Sequence, residues 1–233
     1  MSVRPLDGIT VIALEHVIAA PFCTRQLADL GARIIKIERP GDGDFARGYD
    51  TQVAGLSSAV LAALGTAQIT AMSSTQLAGL SSTDIGYITT DAIAALSSAQ
   101  IAGFAISVVN TLSTSAIGNI TTSAIAGIST KQIAGLSSAN AAALSSTQIA
   151  VMSSAQIAAL SSTNLNLFST DEIAAISTSA IAGLTTKQMA NLSTESASVM
   201  TSSQVAALSS TQVAALSENN LALLTALYPD SIA

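Results

Sequence analysis

From Leu56 to Leu224 a large apolar residue returns every eight positions, at all 22 places the period allows. A fixed short period restricts the fold more than any composition does. Each unit is too small to bury its own apolar face, so it must bury that face against neighbouring units, and a solenoid or array results. The consensus unit is Leu-Ser-Ser/Thr-Thr-Gln-Ile-Ala-Ala, as in LSSTQIAA from Leu208. Its positions are numbered 1 to 8 below, beginning at the recurrent apolar residue.

The period discriminates between backbones. A continuous α-helix turns about 100° per residue, so eight residues leave successive leucines about 80° out of phase and no face is apolar. A strand would put Leu144 and Ile149 on opposite faces and commit many alanines to a conformation they disfavour. One short helix per octad satisfies every position. Ser145 at position 2 is the N-cap, and Gln148, three residues later, completes a capping box. Leu144 and Ile149 flank the cap as a hydrophobic staple.

The pattern holds along the array, with Ser or Thr at 20 of 22 cap positions and Gly65 and Ala105 as the exceptions. Gln or Glu recurs at position 5, as at Gln68, Gln76, Gln100, Gln132, Gln156, Glu172, Gln188, Gln204 and Gln212. Asp84, Asp91, Asp171, Glu172, Glu195 and Glu218 all fall in first helical turns, where the helix dipole favours negative charge. Lys131 and Lys187 sit in that turn against the rule. Helices of about six or seven residues are too short to be stable alone, so stability must come from stacking. The expected fold is mainly α: a tightly wound α-solenoid of short capped helices preceded by a small βαβ fragment. The alternative is a β-solenoid with Ser/Thr ladders. Residues 105–111 (AISVVNT) lose cap, box and small residues together and predict a distorted coil, and 197–201 (ASVMT) a milder lapse.

The first 55 residues are of another kind. Six of the eight basic residues lie in the first 47 positions, and the array carries most of the net charge of −6. The expected division is 1–55, 56–224 and a tail over 225–233, which holds Tyr228, Pro229 and Asp230. Gly8–Leu14 reads as a buried strand, Ala20–Gly31 as a helix and Ala32–Glu38 as a second strand, a βαβ unit followed by the loop GDGDFARG. The stretch PLDGITVIALEHVIAAPFCTRQLADLGARIIKIERPGDGDFARGYD, with LADLGA, KIERPGDGD and ARG at these spacings, resembles the amino terminus of the family III CoA-transferases. The resemblance covers about residues 4–58. It implies CoA contacts at Val17, Ile18 and Ala19, in the turn after His16, and at Arg39, whose guanidinium suits a phosphate. It also implies that the family's catalytic aspartate lies beyond the matched segment, so the chain is expected to be no enzyme and to need no cofactor, CoA being the one ligand the resemblance leaves open. The octads themselves resemble repeats of large bacterial surface proteins.

Other chemistry is sparse. The array has no His or Cys, so no catalytic triad and no metal framework can be built from it. His16 reads as a turn residue, Cys23 as a helix-packing residue, and Asp42 and Asp44 as a polar turn without the clustered ligands a cation needs. With no basic stripe and only seven Phe and Tyr, nucleic-acid binding is not expected. Ser/Thr pairs interrupt every apolar run before the roughly 18 residues a membrane span needs. Self-association, end to end, is the expected partnership, because a terminal coil without a polar cap leaves its inner face open. A cytoplasmic location is the default, with an extracellular surface as the alternative. The composition changes at residue 55 without a Pro- or Gly-rich linker, as in a chimera of two parts. The expected function is a non-catalytic structural or interaction module: a rigid spacer or self-assembling filament. A far-UV circular dichroism spectrum dominated by helix is the expected result; a strand-dominated spectrum refutes the capped-helix assignment.

Overall fold

The computed structural model describes residues 10–14, 33–37 and 56–232. The chain divides into two units, Met1–Val53 and Ala54–Ala233. In the first, strands β1 (Thr10–Leu14) and β2 (Arg33–Ile37) pair in parallel, from Thr10 opposite Arg33 to Leu14 opposite Ile37. Both fall within the stretches read as strands. Parallel neighbours require a crossover connection; the helix expected over 20–31 lies outside the described residues.

The second unit is a run of short helices whose N-caps fall at eight-residue intervals, from Ser57 before α1 (Ser58–Ala63) to Ser217 before α21 (Glu218–Leu227). Among the described residues of 56–232 there is no strand, so the β-solenoid alternative is not the fold. The octad from Leu144 shows the local logic. Helix α12 (Ser146–Ala150) starts after Ser145, whose extended backbone (φ −83°, ψ 159°) turns the corner. The Ser145 hydroxyl accepts from the Gln148 amide at 3.3 Å, and the Ser145 amide donates to Gln148 Oε1 at 2.8 Å. Leu144 and Ile149 are both buried. At the far end Met152 N–H donates to the Ile149 carbonyl, tightening the exit into the next corner. Most of these helices have four to six residues, shorter than the six or seven expected. The corner itself consumes the difference, since positions 1 and 2 must both be extended.

From the second helix, Thr66–Thr70, to α18 (Thr194–Ser198) each helix packs on the helix three further along, as α3 (Ser74–Ala78) does on α6 (Ser98–Gly103) and α12 on α15 (Thr170–Ala175). Three octads therefore close one turn of the coil, with the apolar residues of positions 1 and 6 pointing inward as a continuous core. The turns approach closely. A Cβ on Gly127 would clash with the Cβ of Ser98 in the preceding turn, and one on Gly183 would lie 2.6 Å from the Ser154 carbonyl oxygen.

Position 5 ties the turns together. Gln148 Nε2 donates to the carbonyls of Ile120 at 2.7 Å and Ile117 at 2.8 Å, 28 and 31 residues back. The same pair of bonds runs from Gln132 to Phe104 and Ile101, from Gln156 to Ile128 and Ile125, and from Gln188 to Leu160 and Ile157. Gln204 and Gln212 repeat it onto Ile176 and Ile173, and onto Leu184 and Ile181. One carboxamide thus caps its own helix with its oxygen, while its nitrogen satisfies the orphan position 1 carbonyl of the turn below and shares the position 6 carbonyl with a backbone amide. These glutamines are buried, though glutamine is ordinarily a surface residue.

Two expectations of irregularity are corrected. Residues 105–111 form α7 (Ile106–Val109) in register, with Val108 and Val109 buried, although Ala105 supplies no side-chain cap. Residues 197–201 close α18 (Thr194–Ser198) with Ala197 and Met200 buried. The octad is held by its two apolar residues and its neighbours, so one missing cap does not shift it. At the far end α21 runs straight through Leu224 to Leu227 instead of turning the next corner.

Replacing Gln148 by Ala leaves the Ser145 amide and the Ile120 carbonyl unpaired, while the Ile117 carbonyl keeps only the Ile120 amide. At about 1–3 kcal/mol for each buried group left unsatisfied, a loss of roughly 3 kcal/mol is expected by urea denaturation. Gln68→Ala removes only an exposed capping contact and should cost less than about 1 kcal/mol. Equal losses for the two variants would refute the inter-turn role of the amide nitrogen.

Candidate functional site

Val17, Ile18, Ala19 and Arg39, the residues expected to touch CoA, lie outside the described residues, as do His16, Cys23, Asp42 and Asp44. The site that the structure does define is the polar seam of the array.

Two charged side chains of the array serve as caps. Asp84 Oδ2 accepts from the Ser81 amide at 2.9 Å and from its hydroxyl at 2.7 Å, a box built on Asp that the search for Gln or Glu overlooked. Glu172 Oε2 accepts from the Ser169 amide at 2.8 Å. Lys131 and Lys187 lie in helices of five residues, where the first and last turns coincide and the dipole rule loses its sign. Among the described residues no group of three or more His, Cys, Asp or Glu is placed to hold a metal ion.

At Asn140 and Ser196, two short residues at position 5, the seam is repaired from the turn below. Asn140 donates to the Val109 carbonyl at 2.9 Å but does not reach back to its own cap amide; Asn110 Oδ1 takes the Ser137 amide instead, at 2.8 Å. Asn110 Nδ2 also donates to the Gly135 carbonyl at 2.8 Å. The arrangement recurs 56 positions on, where Ser196 occupies position 5: Asn166 Oδ1 accepts from the Ser193 amide at 3.0 Å and its Nδ2 donates to the Asn191 carbonyl at 2.7 Å. Both asparagines occupy position 7, and the sequence signal was an Asn there 30 residues before a position 5 that lacks Gln.

The two end turns differ from the interior. In the first turn Gln68 is exposed and Gln76 half-buried; each gives its Oε1 to a cap amide, and neither Nε2 meets a carbonyl among the described residues. In the last turn Tyr228, at position 5 of the octad beginning at Leu224, donates its hydroxyl to the Met200 carbonyl at 2.7 Å, 28 residues back. It thus does for Met200 what glutamine does elsewhere. The carbonyls of Leu208 and Leu216 have no side-chain donor among the described residues, and neither do those of Leu80, Ile88, Leu96, Leu144 and Met152, where position 5 of the turn above is Val108, Ala116, Ala124, Glu172 and Ala180.

Comparison with known proteins places only the amino-terminal segment. Residues 6–76 match the profile of CoA-transferase family III, a stretch that runs beyond residue 58 and overlaps the first turn of the coil. The segment is similar to succinyl-CoA:glutarate CoA-transferase of Homo sapiens, 44% identical over 57 residues, which are 24% of this chain and 13% of that protein. It is also similar to acetyl-CoA:oxalate CoA-transferase of Acetobacter aceti, 57% identical over 49 residues, 21% of this chain and 13% of that protein. Formyl-CoA:oxalate CoA-transferase of Rhodopseudomonas palustris (strain TIE-1) is 51% identical over 45 residues, 19% of this chain and 11% of that protein. The chain thus spans about an eighth of the length of these curated relatives. No solved structure matches.

Asn166→Ala strips the Ser193 amide and the Asn191 carbonyl of their partners and should cost about 1–3 kcal/mol in urea denaturation. Adding Ser196→Gln, which restores a capping box of the interior kind, should recover most of that loss. Additive effects in the double-mutant cycle would refute the repair.

Proposed function

We propose that the chain is a non-catalytic structural repeat protein: a stiff helical coil that serves as a spacer or as the unit of a self-assembling filament. The observation that carries this reading is the use of the polar residues. In an enzyme site, polar and titratable groups converge on a cavity and are left free to meet a substrate. In the array Gln, Asn, Asp and Glu at position 5 are spent on caps and inter-turn bonds. No described helix is long and apolar enough to cross a membrane.

The amino-terminal match supports a second, limited reading, a CoA-binding remnant of a family III CoA-transferase without catalytic activity. On the resemblance, Val17, Ile18, Ala19 and Arg39 would hold the nucleotide, and the aspartate that carries the acyl group in that family has no counterpart in the matched segment. The reading rests on the identity over the matched residues. The two readings are compatible, with the amino-terminal unit leading into the array.

With succinyl-CoA or formyl-CoA as donor and oxalate or glutarate as acceptor, no transfer above the uncatalysed rate is expected. Turnover that is lost on purification away from contaminants leaves the proposal standing; turnover that follows the pure chain refutes it. Calorimetric titration with CoA decides the second reading: saturable binding that weakens in Arg39→Ala supports it, and no heat at millimolar CoA removes it.

A further inference from the structure

We infer that the coil carries a built-in point of yielding, the joint between residues 80–103 and residues 104–127, at which it opens before any other joint between its interior turns. The inference goes beyond the spacer reading and does not rest on it, since it concerns one chain alone. It starts from position 5, the side chain that ordinarily bonds a helix to the turn below. The joints after residue 127 are bonded in this way on at least two of their three sides. Gln132, Asn140 and Gln148 join 128–151 to the turn below, and Gln156 and Asn164 join 152–175. Gln188 and the Asn166 repair join 176–199, and Gln204, Gln212 and Asn220 join 200–223. On the amino-terminal side Gln100 donates to the carbonyls of Thr70 at 3.0 Å and Met72 at 2.7 Å.

Between Gln100 and Gln132 three successive octads carry Val108, Ala116 and Ala124 at position 5. None of these side chains can donate or accept, so one full circle of the seam is missing, on all three sides at once. No other run of three successive octads between Leu96 and Leu224 lacks a polar side chain there or its repair. The same turn holds Ala105, a cap position without a hydroxyl. What crosses this joint is packing. Ile85 and Ile93 below and Val108, Ile117 and Ile125 above are buried, and Gly127 lies close on Ser98. Such contacts are non-directional and tolerate sliding, whereas hydrogen bonds fix one alignment. A coil held by nearest-neighbour terms divides where the term between turns is smallest. Pulled along its axis, this coil lengthens there first.

Hydrogen exchange read by mass spectrometry on the full 233-residue chain tests this. Residues 80–96 should exchange roughly ten- to a thousandfold faster than residues 128–151, because each of the three missing bonds is worth about a factor of two to ten. No step of that size should separate 152–175 from 176–199. Ala116→Gln/Ala124→Gln returns two donors, each 28 residues after the carbonyls of Ile88 and Leu96, the spacing that joins Gln148 to Ile120. It should slow exchange over 80–96 by roughly five- to a hundredfold. Gln204→Ala/Gln212→Ala removes two bonds from a distant joint and should leave 80–96 unchanged. Protection that varies smoothly along the coil, or a loss over 80–96 in the distant variant equal to its loss over 200–223, means one cooperative coil and overturns the inference. A folded Ala116→Gln/Ala124→Gln chain with unchanged exchange over 80–96 overturns it as well. Should that variant not fold, the wild-type profile and the distant variant decide.

Discussion

Everything in the array depends on what happens to the backbone groups at the ends of very short helices. A helix of five residues has about as many unpaired N–H and C=O groups as residues, because the first four amides and last four carbonyls of any helix lack internal partners. Stacking such helices three to a turn buries many of these groups, and each one buried without a partner costs about 1–3 kcal/mol. The side chain at position 5 resolves this. A carboxamide has an acceptor and two donors on one rigid plane. In Gln148 the oxygen reaches the cap amide of its own helix while the nitrogen bridges two carbonyls of the turn below. Glutamate keeps only the first half of that function, and Glu172 is correspondingly less buried than the glutamines.

The same bond sets register. Apolar side chains at positions 1 and 6 would bury equally well if one turn slid over the next by part of a unit, since the packing of Leu and Ile is tolerant of small shifts. Hydrogen bonds are directional and fail within about an ångström of displacement. The core therefore supplies the driving force for stacking, and the seam chooses one stack among several. The close approach at Gly127 and Gly183 agrees with a fixed register, because a side chain is excluded only where the neighbouring turn always sits in the same place.

Half of this design was legible in the sequence. The capping box shows because its two members lie three residues apart, within one unit, and the staple shows because Leu144 and Ile149 flank it. What joins Gln148 to Ile120 does not show, because every octad looks alike and nothing in an eight-residue period states how many octads close a turn. That number follows from the two extended residues at each corner, such as Leu64 (φ −71°, ψ 122°) and Gly65 (φ −81°, ψ 169°). The asparagines illustrate the same limit. Asn110 sits in a segment that looked merely irregular, and its purpose emerges only when Asn140, thirty residues on, is seen to lie above it. The amino-terminal segment is the reverse case: its motifs identify a family directly, while Val17, Ile18, Ala19 and Arg39 take their meaning from that resemblance and not from a geometry.

Uniform units also explain why the array tolerates defects. Ala105 offers no cap hydroxyl, yet α7 keeps its place, because the turns on either side fix where Val108 and Val109 must go. In a globular core a residue is held by contacts scattered along the chain, and removing one displaces its neighbours. In a coil of this kind each unit is held by the turn before and the turn after, so stability is nearly a sum of local terms. Drift in cap and box residues is then absorbed unit by unit, as long as positions 1 and 6 stay apolar.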